Sequence, residues 1–106
     1  MTAPYLGPSF GLHSHAKVTG GTGAIANNVN ITGAVRNGIG DYTINLGSEI
    51  DPTTRSCLIT PRSPGIVELA PGGDTDGSLQ VLTKDAAGAA ADVDFEVTIF
   101  RTSVPS

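Results

Sequence analysis

The chain predicts an all-β fold: an antiparallel β-sandwich or jelly-roll-like single domain with an extended N-terminal arm. Three observations carry the expectation. Val29 to Leu46 reads as a hairpin whose two arms each alternate apolar and polar residues around Asn37-Gly38-Ile39-Gly40. Asp92 to Arg101 repeats the same two-residue period, the signature of a strand with one buried and one wet face. Fourteen glycines and seven prolines punctuate the 106 residues, and no helical period of useful length survives between them.

Taken in order, residues 1–16 carry Pro4, Gly7, Pro8 and Gly11 without periodicity, together with Tyr5, Leu6, Phe10 and Leu12. A segment dotted with apolar residues but lacking local structure gains order by packing on something else. The expectation is an attachment arm over 1–16 that meets a partner through those four side chains, the plain alternative being a frayed terminus. The sandwich domain would then span 17–106. Ala16–Thr19 reads as a short strand and Gly20-Gly21-Thr22-Gly23 as a loop. In the hairpin, Val29, Ile31, Gly33 and Val35 share one face of the first arm, and Tyr42, Ile44 and Leu46 share one face of the second. The Asn-Gly pair between them accepts the positive φ angles of a tight reversal.

Asp51-Pro52 marks a turn within Gly47–Thr54. Arg55–Thr60 is a third strand, closed by Pro61 and Pro64, and Gly65–Ala70 a fourth. Pro71 to Gly77 is a loop, and Ser78–Lys84 a fifth strand. Asp85–Ala91 is alanine-rich, but Gly88 interrupts it and it is too short to hold a helix alone. In the last strand Val93, Phe95, Val97 and Ile99 face one way and Asp94, Glu96 and Thr98 the other, until Phe100 breaks the alternation. Six or seven strands are expected, with no internal repeat.

Composition bounds the function. A net charge of −4 with scattered Lys and Arg leaves no basic stripe for phosphates, so nucleic acid is not an expected partner. No stretch approaches the ~20 apolar residues of a membrane span. The N-terminus has no charged start followed by an apolar run, so synthesis and folding in a cytoplasm are expected, and the Asn30-Ile31-Thr32 sequon is void there. The single cysteine, Cys57, lies in an apolar run and reads as a buried structural thiol.

Two motifs look more informative than they are. Val18-Thr19-Gly20-Gly21-Thr22-Gly23-Ala24-Ile25 has the look of a dinucleotide-binding turn. That chemistry needs a helix N-terminus next. The following Ala-Asn-Asn-Val-Asn-Ile-Thr is poor in helix formers. Asp74-Thr75-Asp76-Gly77 has the spacing of a calcium-loop fragment but lacks the distal ligands. Asp92, Asp94 and Glu96 would repel one another if buried together, so they are expected in water or against arginines. No nucleophile–base pair is visible, and no enzyme activity is expected.

Gly40-Asp41-Tyr42-Thr43-Ile44-Asn45-Leu46, the middle strands, and then Val97-Thr98-Ile99-Phe100-Arg101 resemble a small β-domain of tailed-bacteriophage virion proteins. That domain occurs at tail-fibre tips and in small decoration or head-fibre proteins, and the likeness covers roughly residues 22–101. The resemblance implies a non-enzymatic virion subunit, made in the host cytoplasm. It would be a homotrimer that contacts other virion proteins of the capsid or tail. No coiled or triple-helical shaft is read ahead of it, so this chain alone is not expected to be a whole fibre. An apolar arm and few aromatics to fill a monomer's interior fit a trimer, with Tyr42 and Phe100 placed at the subunit contact. His13-Ser14-His15 is similar to the axial iron sites of trimeric phage spikes. A lone pair of imidazoles cannot complete a metal shell, but three copies around an axis would supply six. The expectation is therefore no cofactor, or at most an axial transition metal held by His13 and His15. A receptor- or glycan-binding module at a tail tip, using loops Gly47–Thr54 and Pro71–Gly77, is the alternative.

Overall fold

The computed structural model of the chain describes residues 11–70 and 72–101. Among them run eight strands: β1 (Leu12–Val18), β2 (Ile25–Val29), β3 (Ile31–Gly38), β4 (Asp41–Leu46), β5 (Arg55–Pro61), β6 (Ile66–Leu69), β7 (Ser78–Lys84) and β8 (Phe95–Arg101). They form two four-stranded antiparallel sheets, ordered β2-β1-β8-β5 and β3-β4-β7-β6, packed as a β-sandwich. The first sheet is built from both ends of the chain, because β8 pairs with β1 on one side and β5 on the other. The second is built on the predicted hairpin, β3–β4, to which β7 and then β6 are added.

Four of the strands lie where alternation and breakers place them: β4, β5, β6 and β7. The rest differ for identifiable reasons. β1 begins at Leu12, not Ala16, so the last five residues of the expected arm belong to the sheet, with Ser14 and Ala16 wholly buried. Tyr5, Leu6 and Phe10 lie outside the described residues. The glycine-rich stretch is the turn of a β1–β2 hairpin, closed by Thr19 N donating to Ala24 O and Gly23 N donating to Thr19 O. β2 itself was not legible as a separate strand, because at a sheet edge it buries almost nothing. Asn30, at φ +53°, is the one residue between β2 and β3 and switches the chain from one sheet to the other. Asn is one of the few non-glycine residues that visit this region routinely.

In β3 the pairing with β4 slips between Ile31 and Gly33. A slip of one residue exchanges the faces of a strand. Ile31 points inward as expected, but beyond the slip Ala34 packs on the core and Val35 is 51% exposed. Of the expected inward set only Ile31 holds, since Val29 belongs to β2 of the other sheet and is exposed. β8 begins at Phe95, although Val93, just ahead of it, is buried. The alanine-rich segment is a turn in which the Asp85 carboxylate accepts from the amides of Ala87 and Ala89.

The core between the sheets is made of inward residues of four strands, β1, β4, β7 and β8, with Ile31 and Ile50. At its centre Tyr42 and Phe95 meet edge to face, with centroids 5.3 Å apart and planes at 64°. Such a contact adds to the area that each ring buries. Tyr42 is completely buried, and this corrects its expected place at a subunit contact. In so small a core the large ring is needed inside.

Candidate functional site

The two outer faces of the sandwich are chemically unlike. On the first sheet, register lines up Leu12, Phe100 and Ser56 in one row across β1, β8 and β5. Val29, His15, Thr98 and Leu58 form the next row, and Lys17, Glu96 and Thr60 the one after. Leu12, Val29, Leu58 and Phe100 are all exposed, Leu58 by 60%. Phe100 sits directly opposite Leu12 and one row from Leu58, within the reach of diagonal cross-strand neighbours. The third row closes the patch with charge: Glu96 accepts from Arg62 at 2.6 Å and meets His15 Nε2 at 3.3 Å. The Arg62 hydrogen bond, with a smaller contribution from His15, holds the Glu96 carboxyl below its ordinary value.

The second sheet presents a polar lattice instead. Gln80 donates to Asp41 at 2.8 Å, Asn37 donates to Thr43 at 2.9 Å, and Lys84 pairs with Glu68 at 2.6 Å. An antiparallel sheet normally keeps its outer face in this wetted state. The second sheet keeps closer to that rule: its exposed apolar residues, Val35 and Ile66, stand apart on opposite edge strands, whereas those of the first sheet fall on neighbouring rows.

At one end of the sandwich three segments are tied to Tyr42. Its hydroxyl bonds the Gly20 carbonyl and lies 2.6 Å from Asp92 Oδ1. The Asp92 carboxylate also accepts from Arg36, at 2.7 Å from Nη2, and from the Gly40 amide at 2.9 Å. The Arg36 hydrogen bond first, then the Gly40 amide and the Tyr42 hydroxyl, hold Asp92 far below the usual carboxylate range. Burial first, then Asp92, pushes Tyr42 up to about 12. Gly40 has φ +67°, and a Cβ there would run into the Thr83 carbonyl, so the hairpin turn needs glycine for two separate reasons. Asp94 accepts from the Gly20 amide at 2.7 Å. The three acidic residues thus meet arginines or backbone amides, and Asp92 and Asp94 form a structural knot around Tyr42 and Gly20 that closes the turn.

At the other end Arg55, whose side chain is only 3% exposed, clamps two loops. Its guanidinium donates to the carbonyls of Ile50 and Thr75 at 3.1 Å each, with Asp74 at 3.8 Å. The Ile50 amide donates to the Asp76 carbonyl, so loops 47–54 and 72–77 lie side by side. Carbonyl oxygens that a calcium loop would turn to a cation face a guanidinium here. Arg55 escaped the sequence reading because nothing local marks an arginine as buried. Cys57 is half-buried against the core, and burial raises its thiol to about 11. It is a packing residue.

His13 and His15 do not converge. His13 Nδ1 contacts Ser14 Oγ at 2.7 Å and its Nε2 lies 3.3 Å from Ser48 Oγ, whereas His15 contacts the Asn27 carbonyl and Glu96. Burial, then the charges of Arg101 and Arg55, lower the His13 pKa. Among the described residues no three His, Cys, Asp or Glu side chains come together as a metal shell, and no cavity opens. No known protein family, curated protein or solved structure matches the chain.

Proposed function

We propose that the chain is a non-enzymatic structural subunit of a tailed-bacteriophage virion, made in the host cytoplasm. It assembles as a homotrimer and joins other capsid or tail proteins through its N-terminal segment. The observation that carries this reading is the contrast between the two outer faces, one with its exposed Val35 and Ile66 apart on opposite edge strands, the other with Leu12, Leu58 and Phe100 gathered on adjacent rows. Exposed apolar side chains gathered on one face, unlike ones scattered singly, suit an interaction site. Phe100 accordingly keeps the contact role that Tyr42 loses, and the resemblance of the hairpin and last strand to phage virion domains supplies the biological setting.

The test is the mass of the purified protein by light scattering, with and without chelator. A species near three times 10.7 kDa is the expected result, and a monomer at all concentrations refutes it. Loss of the trimer with chelator would assign His13 and His15 to an axial metal. That metal would have to replace the partners each ring has within its own protomer. The pairing of loops 47–54 and 72–77 at one end favours a second reading, a receptor- or glycan-binding tip. A glycan array probed with the intact protein decides it, and binding abolished by Asp76→Ala would move the function to those loops.

A further inference from the structure

We propose that the apolar outer face of the first sheet receives residues 4–10 of a second copy of the chain. This rests on the self-assembly reading above and deepens it by naming what covers the face.

The size of the patch speaks first. Its exposed apolar side chains are Leu12, Val29, Leu58 and Phe100. A stable face-to-face dimer needs about 800 Å² from each partner, and four partly exposed side chains offer well under that. They do match a single extended segment. The sheet is three strand spacings wide, roughly 14 Å, and seven extended residues reach about 23 Å.

The chemistry of the segment fits as well. Residues 4–10, Pro-Tyr-Leu-Gly-Pro-Ser-Phe, carry no charged side chain and contain three large apolar ones, Tyr5, Leu6 and Phe10. The four apolar side chains of the patch are uncharged too, and on its border Glu96 is paired with Arg62. Pro4 and Pro8 restrict the backbone before docking, which lowers the entropy cost of ordering it.

Direction selects a second copy over the same chain. Gly11 is still in the β1–β8 ladder, its carbonyl accepting from the Arg101 amide at 3.1 Å. At Gly11 the described chain thus still runs along the strand axis, at the end of its own sheet. Covering its own patch would need a full reversal within those few residues, whereas a neighbour's patch needs none. Repeated round a closed ring, the contact is heterologous and satisfies every copy.

The experiment uses the full chain carrying Cys57→Ser. Phe10→Cys and Leu58→Cys chains are co-expressed and oxidised with oxidised glutathione, with Val35→Cys, exposed on the opposite sheet, as the control in place of Leu58→Cys. A mixed disulfide with Leu58→Cys, formed at least tenfold faster than with Val35→Cys, is the expected result. Equal rates overturn the proposal, as does a disulfide that closes within one chain of the Phe10→Cys/Leu58→Cys double variant. In parallel, Phe10→Asp and Phe100→Asp are weighed by light scattering after circular dichroism confirms the fold, with Leu58→Asp standing in if Phe100→Asp fails to fold. Both should fall from the wild-type mass to 10.7 kDa. An oligomeric wild type whose mass survives either substitution refutes the docking but leaves self-assembly standing. A monomeric wild type refutes both.

Discussion

Tyr42→Phe isolates one oxygen atom at the centre of the fold. The ring remains, and with it the edge-to-face contact to Phe95. What goes is the hydroxyl that joins the Gly20 carbonyl to Asp92. Asp92 keeps Arg36 and the Gly40 amide, so its charge stays compensated. The loss is then the one hydrogen bond that the single hydroxyl proton makes, shared between the Asp92 carboxylate and the buried Gly20 carbonyl, and about 2 kcal/mol is expected. For a domain of this size that lowers Tm by roughly 8–16 °C. Urea unfolding followed by circular dichroism should show the midpoint falling with the slope m unchanged. The alkaline limb gives a second reading. A tyrosine raised from its ordinary ~10 to about 12 adds stability that is whole below pH ~10 and is lost as pH climbs towards 12. Wild type should weaken across that window more than Tyr42→Phe does. A loss under ~0.5 kcal/mol, the size of an ordinary surface substitution, would show that the hydroxyl meets water in solution and would refute the knot.

Asp92 gives the acid counterpart. Its carboxyl, held below the unfolded value near 4, contributes stability that is present above that value and lost as pH falls through the folded one. Asp92→Asn should be less stable than wild type at neutral pH, with the gap narrowing progressively as pH falls below about 4; parallel curves would count against the Arg36–Asp92–Gly40 arrangement. Cys57 reports on burial. With its thiol at about 11, alkylation by iodoacetamide near pH 8 should be at least tenfold slower in the folded protein than in urea, and equal rates would place the side chain in solvent.

The strands were legible where one face is buried and one is wet, because burial then writes the two-residue period into the chain. Tyr42-Thr43-Ile44-Asn45-Leu46 and Phe95 to Ile99 bury the alternate residues that the period names. Legibility ended where geometry, not composition, assigns the face. The slip after Ile31 puts Val35 outside and Ala34 inside, and nothing in Ile-Thr-Gly-Ala-Val marks where pairing shifts except a glycine that also suits a regular strand. β2 was hidden for the opposite reason, since a strand at an edge that buries little writes no period at all. Of the candidate site residues, Phe100 had a signal in the broken alternation at the end of β8. Tyr42 had none that could separate a core ring from a contact ring.

The apolar face had a signal that period counting passes over. Cys57-Leu58-Ile59 is apolar on consecutive residues, so one of its two faces must turn outward carrying an apolar side chain. Ile99-Phe100 does the same in the neighbouring strand, and the two outward members, Leu58 and Phe100, fall on adjacent rows of one sheet. An antiparallel sheet that is wet outside has no use for such residues. One instance is unremarkable, because isolated exposed hydrophobics are common on any surface. Two that the register brings together, with Leu12 and Val29 on the same face and no such cluster on the other sheet among the described residues, fit the proposed docking. The pairing of β5 with β8 brings these side chains together and neither strand does alone, so the apolar face is a property of topology, and only the topology could reveal it.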